Sequence, residues 1–303
     1  MRTRRRRGRG RAAAVVQPPL KPGPFLRWAG GKRWLARYLG PLLKSRLLPG
    51  ARYHEPFLGS GSMFFAVAPE RALLSDLNSD LITTFRVLAT HHRDIRDRLR
   101  QLRPSAQTYY RVRSSHPRSL LGRVVRFIYL NRNSFGGLYR ENKLGVFNVP
   151  YGGGARDHLS LCANGALARA GQLLNNPAIE VTCLDYAYSL RGAGRGDVVY
   201  CDPAYRAVTR EQFDRYGKTI FDWHDQDLLA RLARRAYHRG ALVVLSNTTC
   251  RSLRGLYPDA IVIALRRPPG IGRGNRTEHL FVLDPLHQYP MWRALRRRIT
   301  TGE

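Results

Sequence analysis

Asp202 follows the apolar run Val198-Val199-Tyr200-Cys201 and leads into Pro203, Ala204 and Tyr205. An acid, a stiff turn and a flat ring at the carboxyl end of a buried strand can hold a planar polar substrate. In open α/β sheets that edge is where ligands bind. Taken alone, the stretch is more simply a strand ending in an Asp-Pro turn. Three other stretches carry comparable chemistry. Gly30-Gly31-Lys32 precedes a periodic apolar run, an arrangement suited to an anion at a helix N-terminus, although the P-loop spacing is absent. Glu55-Pro56-Phe57-Leu58-Gly59-Ser60-Gly61-Ser62 reads as strand, glycine-rich turn, helix, and the turn would let backbone approach a nucleotide-like ligand. Ala72-Leu73-Leu74-Ser75-Asp76 reads as a second strand ending in an acid, which in this position commonly bonds ribose hydroxyls or else caps the helix that follows.

The elements that must position these groups follow from periodicity. Helices are predicted over Trp34 to Leu43, Met63 to Ala68, Ser79 to Leu88, Leu120 to Asn131, Leu159 to Leu174, Trp223 to Tyr237 and Trp292 to Arg298. Further strands are predicted at Ile179 to Cys183, Asp197 to Cys201, Ala241 to Ser246 and Ala260 to Leu265. Such alternation means an α/β fold with a mostly parallel sheet and helices on both faces. From 89 to 176 the pattern turns helical and dense in arginine, and Asn142-Lys143-Leu144-Gly145 sits between two short alternating runs as a hairpin turn. The expected organisation is a disordered basic arm (1–21), a catalytic domain in two pieces (22–88 and 177–303), and a mainly helical insert with a β-hairpin (89–176). Amides, arginines and aromatics in the insert, from Asn131 to Tyr151, could read base edges and wedge between bases.

Charge names the partner. Lys and Arg total 52 against 21 acids, a formal net charge of +31. A balance this lopsided repels itself unless a polyanion compensates, and nucleic acid is the leading candidate ahead of an anionic membrane surface. Arginine far outnumbers lysine, so codon bias is an alternative source of part of the excess. The four cysteines form no CxxC pair, which argues against a zinc site or disulfide framework and for free thiols in a reducing cytoplasm. No apolar run approaches the ~18–20 residues of a membrane helix.

Six stretches in order are similar to the Dam-type (D12 class) DNA adenine-N6 methyltransferases: Trp28 to Lys32, Glu55 to Ser62, Leu74 to Asp80, Tyr129 to Arg132, Gly145 to Gly152 and Val199 to Tyr205. The resemblance spans about Pro24 to Leu283. It implies a Rossmann-like S-adenosylmethionine-dependent fold with a target-recognition insert, acting on double-stranded DNA with base flipping and without a metal. It also implies a monomer in a bacterial or phage-like cytoplasm, of a kind found in restriction–modification systems. By position, Trp28 and Lys32 would contact the cofactor, Phe57, Gly59 and Gly61 would form its turn, and Asp76 would take the ribose. Asp202, Pro203 and Tyr205 would hold the target base, with Asp202 also bordering the cofactor. Asn131, Arg132, Phe135, Arg140, Asn142 and Tyr151 would serve DNA binding, Phe135 as the wedge. Two residues depart from the pattern. Ala204 replaces the usual second proline but leaves acid, carbonyl and ring in place, so activity is expected. Gly136 stands where GATC-methylating members carry an amide, so the same target sequence does not follow. Cytosine-N4 methylation, an inactive DNA-binding relative and RNA methylation are the competing readings.

Overall fold

The computed structural model describes residues 22–28, 30–142, 146–153, 157–203, 221–247, 251–266 and 277–301. The expected basic arm lies outside them. Seven short, largely buried segments pair into one sheet: β1 (Tyr53–Glu55), β2 (Ala72–Ser75), β3 (Ile179–Thr182), β4 (Val198–Cys201), β5 (Leu242–Asn247), β6 (Ile261–Arg266) and β7 (Thr277–Leu283). Their spatial order is β3-β2-β1-β4-β5-β7-β6. The first five are mutually parallel, and β7 runs antiparallel to both β5 and β6. From β1 the chain builds outward to β3, then returns to β4 beside β1 and builds the other way. Sheets of this kind open a crevice at such a reversal, here the carboxyl ends of β1 and β4, and bind their ligands there.

Successive strand residues point to opposite faces, and both faces are covered. Val198, Tyr200, Leu242, Val244, Leu280 and Val282 enter one core, while Val199, Cys201, Val243, Leu245, Phe281 and Leu283 enter the other. Burying each such Val or Leu stabilises by roughly 1.5–3 kcal/mol. The first core is completed by α1 (Arg33–Arg46), α2 (Ser62–Val67), α3 (Ser79–Arg100), α4 (Ala106–Ser114), α5 (Leu120–Asn133), α6 (Leu159–Ala163), α7 (Ala166–Leu174) and α11 (Tyr289–Thr301). The second is completed by α8 (Tyr186–Gly192), α9 (Trp223–His238) and α10 (Arg251–Leu256).

Several expectations are adjusted. The helix predicted over Leu159 to Leu174 is two helices, α6 and α7, because Gly165 adopts φ +68°. The helix from Ser79 runs on to Arg100 across a break at His91 (φ −117°, ψ 25°), so the insert boundary expected at 88/89 falls within α3, close to that break. Residues of 89–176 such as Val124, Ile128 and Leu167 share one continuous core with Phe25, Phe65 and Val198. Among the described residues the hairpin is a pair of isolated antiparallel bridges, Ser134 with Tyr151 and Glu141 with Phe147, and its tip at 143–145 lies outside them. β7 has no counterpart among the predicted strands.

Candidate active site

The glycine-rich turn leaves β1 and must reverse into α2 within a few residues. Gly59 and Gly61 do this with φ +47° and +66°, conformations that strain residues with a Cβ. A Cβ on Gly59 would stand 3.0 Å from Trp28 Cδ1, and one on Gly61 would stand 3.2 Å from Phe85 Cε1. The turn is tied to the end of β2: the Leu58 N–H donates to the Ser75 carbonyl at 3.0 Å, and the Gly59 N–H donates to Asp76 Oδ2 at 3.0 Å. Asp76 Oδ1 accepts the Asn78 N–H at 3.0 Å. The Asp76 carboxyl is pushed up by burial, with the amides of Asn78 and Gly59 opposing. Its capping reading does not hold, since Asn78 accepts the Leu81 N–H and caps α3. Phe57 turns to the other side of the sheet, stacked on Tyr186 with centroids 5.4 Å apart and edge-on to Phe221. Trp28 stacks on Tyr139 with centroids 5.7 Å apart, joining the turn to the Arg-rich segment 89–176.

Asp202 directly follows β4, next to this turn because β4 pairs with β1. Lys32, at the start of α1, is buried and brings Nζ 2.7 Å from Asp202 Oδ1, 3.3 Å from Glu278 Oε1 and 3.4 Å from the Gly30 carbonyl. So Lys32 is an ion-pair partner of the acid rather than an open anion site. Ser246 Oγ, at the end of β5, donates to Glu278 Oε1 at 2.6 Å. Glu55 lies deeper, where Tyr53 Oη donates to Oε2 at 2.7 Å. Burial pushes the Glu55 carboxyl up to about 8, and the Asp202 charge adds to the effect. Pro203 is buried, and Tyr205 and Ala204 lie outside the described residues. Glu278 and Ser246 were missed by sequence reasoning; the available signal was an acid opening the apolar run Leu280-Phe281-Val282-Leu283.

The residues expected to serve DNA binding divide into two sets. Asn131 is fully buried, its Oδ1 accepting the Arg27 N–H at 2.8 Å and its Nδ2 donating to the Arg27 carbonyl at 2.6 Å. Arg132 is also buried and donates to the Asp157 carbonyl and Ser160 Oγ. Tyr151 is half-buried against Tyr109, with its hydroxyl donating to the Pro104 carbonyl. All three direct polar groups to neighbouring backbone or side chains of the protein. Phe135, by contrast, is 62% exposed beside Gly136 at φ +64°. Arg140 and Asn142 are exposed too, Arg140 Nε donating to Asn148 Oδ1 and Asn142 Oδ1 accepting the Val146 N–H. Among the described residues no group of three or more His, Cys, Asp or Glu could hold a metal, and no helix is long and apolar enough to cross a membrane.

The family model for D12 class N6 adenine-specific DNA methyltransferases matches residues 28–267. The DNA adenine methylase of Vibrio cholerae is 34% identical over 280 residues, covering 88% of this chain and 98% of the relative. The DNA adenine methylase of Escherichia coli K12 is 32% identical over 264 residues, covering 83% and 91%. The type II methyltransferase M1.LlaDCHI of Lactococcus lactis is 31% identical over 245 residues, covering 78% and 84%.

Proposed function

The chain belongs to the D12 class of N6 adenine-specific DNA methyltransferases, and we propose that it carries out this chemistry in the crevice between β1 and β4. The observation that carries the reading is the juxtaposition there of Asp202 with a glycine turn bonded to Asp76. The turn suits S-adenosylmethionine: a Cβ on Gly59 would crowd Trp28 at 3.0 Å, and Asp76, oriented by two amides, would take the ribose. When bound, the cofactor supplies an electrophilic methyl group on a sulfonium. Gly59, Gly61 and Asp76 would hold it, with Trp28 supporting the turn and Phe57 fixing the turn's outer side.

Adenine N6 is a poor nucleophile because its lone pair is delocalised into the ring. The Asp202 carboxylate and the Pro203 carbonyl would accept its two amino hydrogens and favour a pyramidal nitrogen. Most of the acceleration would then come from positioning. Tyr205 would stack on the base, a contact worth ~1–3 kcal/mol. Duplex DNA would lie on residues 89–176, with Phe135 entering the stack as the base leaves it and Arg140 and Asn142 touching the duplex. Extrusion costs a few kcal/mol, which a wedge and a stacking ring can offset. Asn131, Arg132 and Tyr151 would hold this platform.

Transfer of tritium from labelled S-adenosylmethionine to duplex DNA, followed by identification of the modified base, tests the reading. Asp202→Ala should lower transfer by at least about 100-fold, the scale of removing one preorganised hydrogen-bonding group, while cofactor and DNA binding persist. Near-normal turnover in that variant would sink the assignment.

A further inference from the structure

Glu278 is a buried acid to which the chemistry above gives no task. Its side chain is 5% exposed, against 20% for Asp202, so Asp202 is the more open to solvent of the two acids. The two carboxylates share one ammonium, that of Lys32, at 2.7 and 3.3 Å. Ser246 Oγ, itself fully buried, donates to the Glu278 oxygen that faces Lys32. The arrangement depends on chain direction. Parallel β4 and β5 deliver their last residues to this edge, and antiparallel β7 delivers its first, pairing Ser246 with Leu280 two residues from Glu278.

Lys32 poses a problem for the proposed clamp. A charged donor bonds a carboxylate about twice as strongly as a neutral one. An ammonium with Asp202 as its sole acid would therefore neutralise more of that carboxylate and make it a weaker acceptor for the neutral amino group of a base. We propose that Glu278 is a positioning residue for methyl transfer: it draws on the Lys32 ammonium and leaves Asp202 able to accept from the base. Ser246 aims Glu278 at Lys32. This role rests on the function proposed above. A purely structural Glu278 would instead affect stability and leave the rate of transfer in folded enzyme unchanged.

Glu278→Gln keeps the shape and an oxygen toward Ser246 but removes the charge. Under single-turnover conditions with saturating DNA and S-adenosylmethionine, it should slow transfer about tenfold or more, with cofactor and DNA affinities within about threefold of wild type, the scale on which members of one ion-pair network couple. Because Glu278 acts through Lys32, Lys32→Met and the Lys32→Met, Glu278→Gln double variant should transfer at the same rate. Multiplicative losses in the double variant, or a Glu278→Gln rate within about threefold of wild type, overturn the role. If Glu278→Gln does not fold, Ser246→Ala keeps every charge and carries the comparison: a lower rate at unchanged affinities supports the role, and an unchanged rate overturns it. Wild-type protein that transfers no methyl group overturns the functional reading itself and this role with it, an outcome distinct from an active wild type with an equally active Glu278→Gln.

Discussion

Gly59→Ala perturbs the proposed cofactor turn without removing a charged group. Two costs can be separated. An alanine at φ +47° pays roughly 1–2 kcal/mol for the left-handed backbone. Its Cβ would also lie 3.0 Å from Trp28 Cδ1, inside the ~3.5–4.0 Å at which carbons attract. Trp28 is stacked on Tyr139, so its retreat would disturb the insert as well. Overpacking of this kind costs typically about 1–3 kcal/mol. Gly50 supplies the control: it has φ +78° but nothing within 4 Å of an added methyl, so Gly50→Ala carries the backbone cost alone. Denaturant titration should therefore find Gly59→Ala less stable than Gly50→Ala by about 1–3 kcal/mol. If the turn yields, the 3.0 Å bond from Gly59 to Asp76 is lost. A hydrogen bond to a charged group contributes about 1.5–3 kcal/mol, so calorimetric titration with S-adenosylmethionine should show affinity weakened roughly 10- to 100-fold. Gly50→Ala should bind as wild type does. Equal cofactor affinity in the two variants would refute the placement of the cofactor on this turn.

Phe135→Ala should leave stability within about 0.5 kcal/mol, because the ring is exposed, yet slow methylation of duplex DNA roughly 5- to 100-fold and of denatured DNA much less; equal losses on both substrates would count against a wedge. Asn131→Ala strips two hydrogen bonds from the partly buried Arg27 backbone and should lower unfolding free energy by about 2–5 kcal/mol; a variant of unchanged stability that lost only DNA affinity would favour Asn131 as a contact residue. Glu55 titrates at about 8 in the folded chain against an ordinary 4.5, so the folded state holds the extra proton between those values and this group makes stability fall as pH rises through that window. Glu55→Gln should gain on wild type by up to about 1.4 kcal/mol per pH unit there; parallel stability curves from mildly acidic to mildly basic pH would contradict the buried neutral acid.

The parts of the site that were legible in the sequence are those where local pattern and topology coincide. A glycine turn after one strand, an acid after the next and an acid after a later one all fall at the carboxyl edge of a parallel sheet, wherever the strands finally lie. Asn131 and Arg132 were legible as a motif but not as inward-facing, because the end of α5 is buried from Phe127 to Asn133 and no apolar stripe marks which side is exposed. That burial comes from tertiary packing, with Arg27 on one side and Asp157 and Ser160 on the other.

β7 was only faintly legible, for a different reason. Its first residues, Thr277-Glu278-His279, are polar, and the Arg-, Gly- and Pro-rich stretch from Arg266 to Arg276 before it reads as loop, so only the four-residue run Leu280 to Leu283 announces a strand. The polarity that hides the strand is what the role proposed for Glu278 calls for. A parallel strand begins at the far edge of the sheet and can offer the crevice only its last residue or the loop beyond. An antiparallel strand inserted between β5 and β6 begins at the crevice edge, so its opening residues can be acids while the remainder stays apolar between two cores. Glu278 reaches Lys32 by that route, 246 positions along the chain from it, and Asp202 acquires a second carboxylate to share its ammonium. In an open sheet of this kind, the partners of an acid at the end of a parallel strand are to be sought at the start of an antiparallel one as well as in the neighbouring turns.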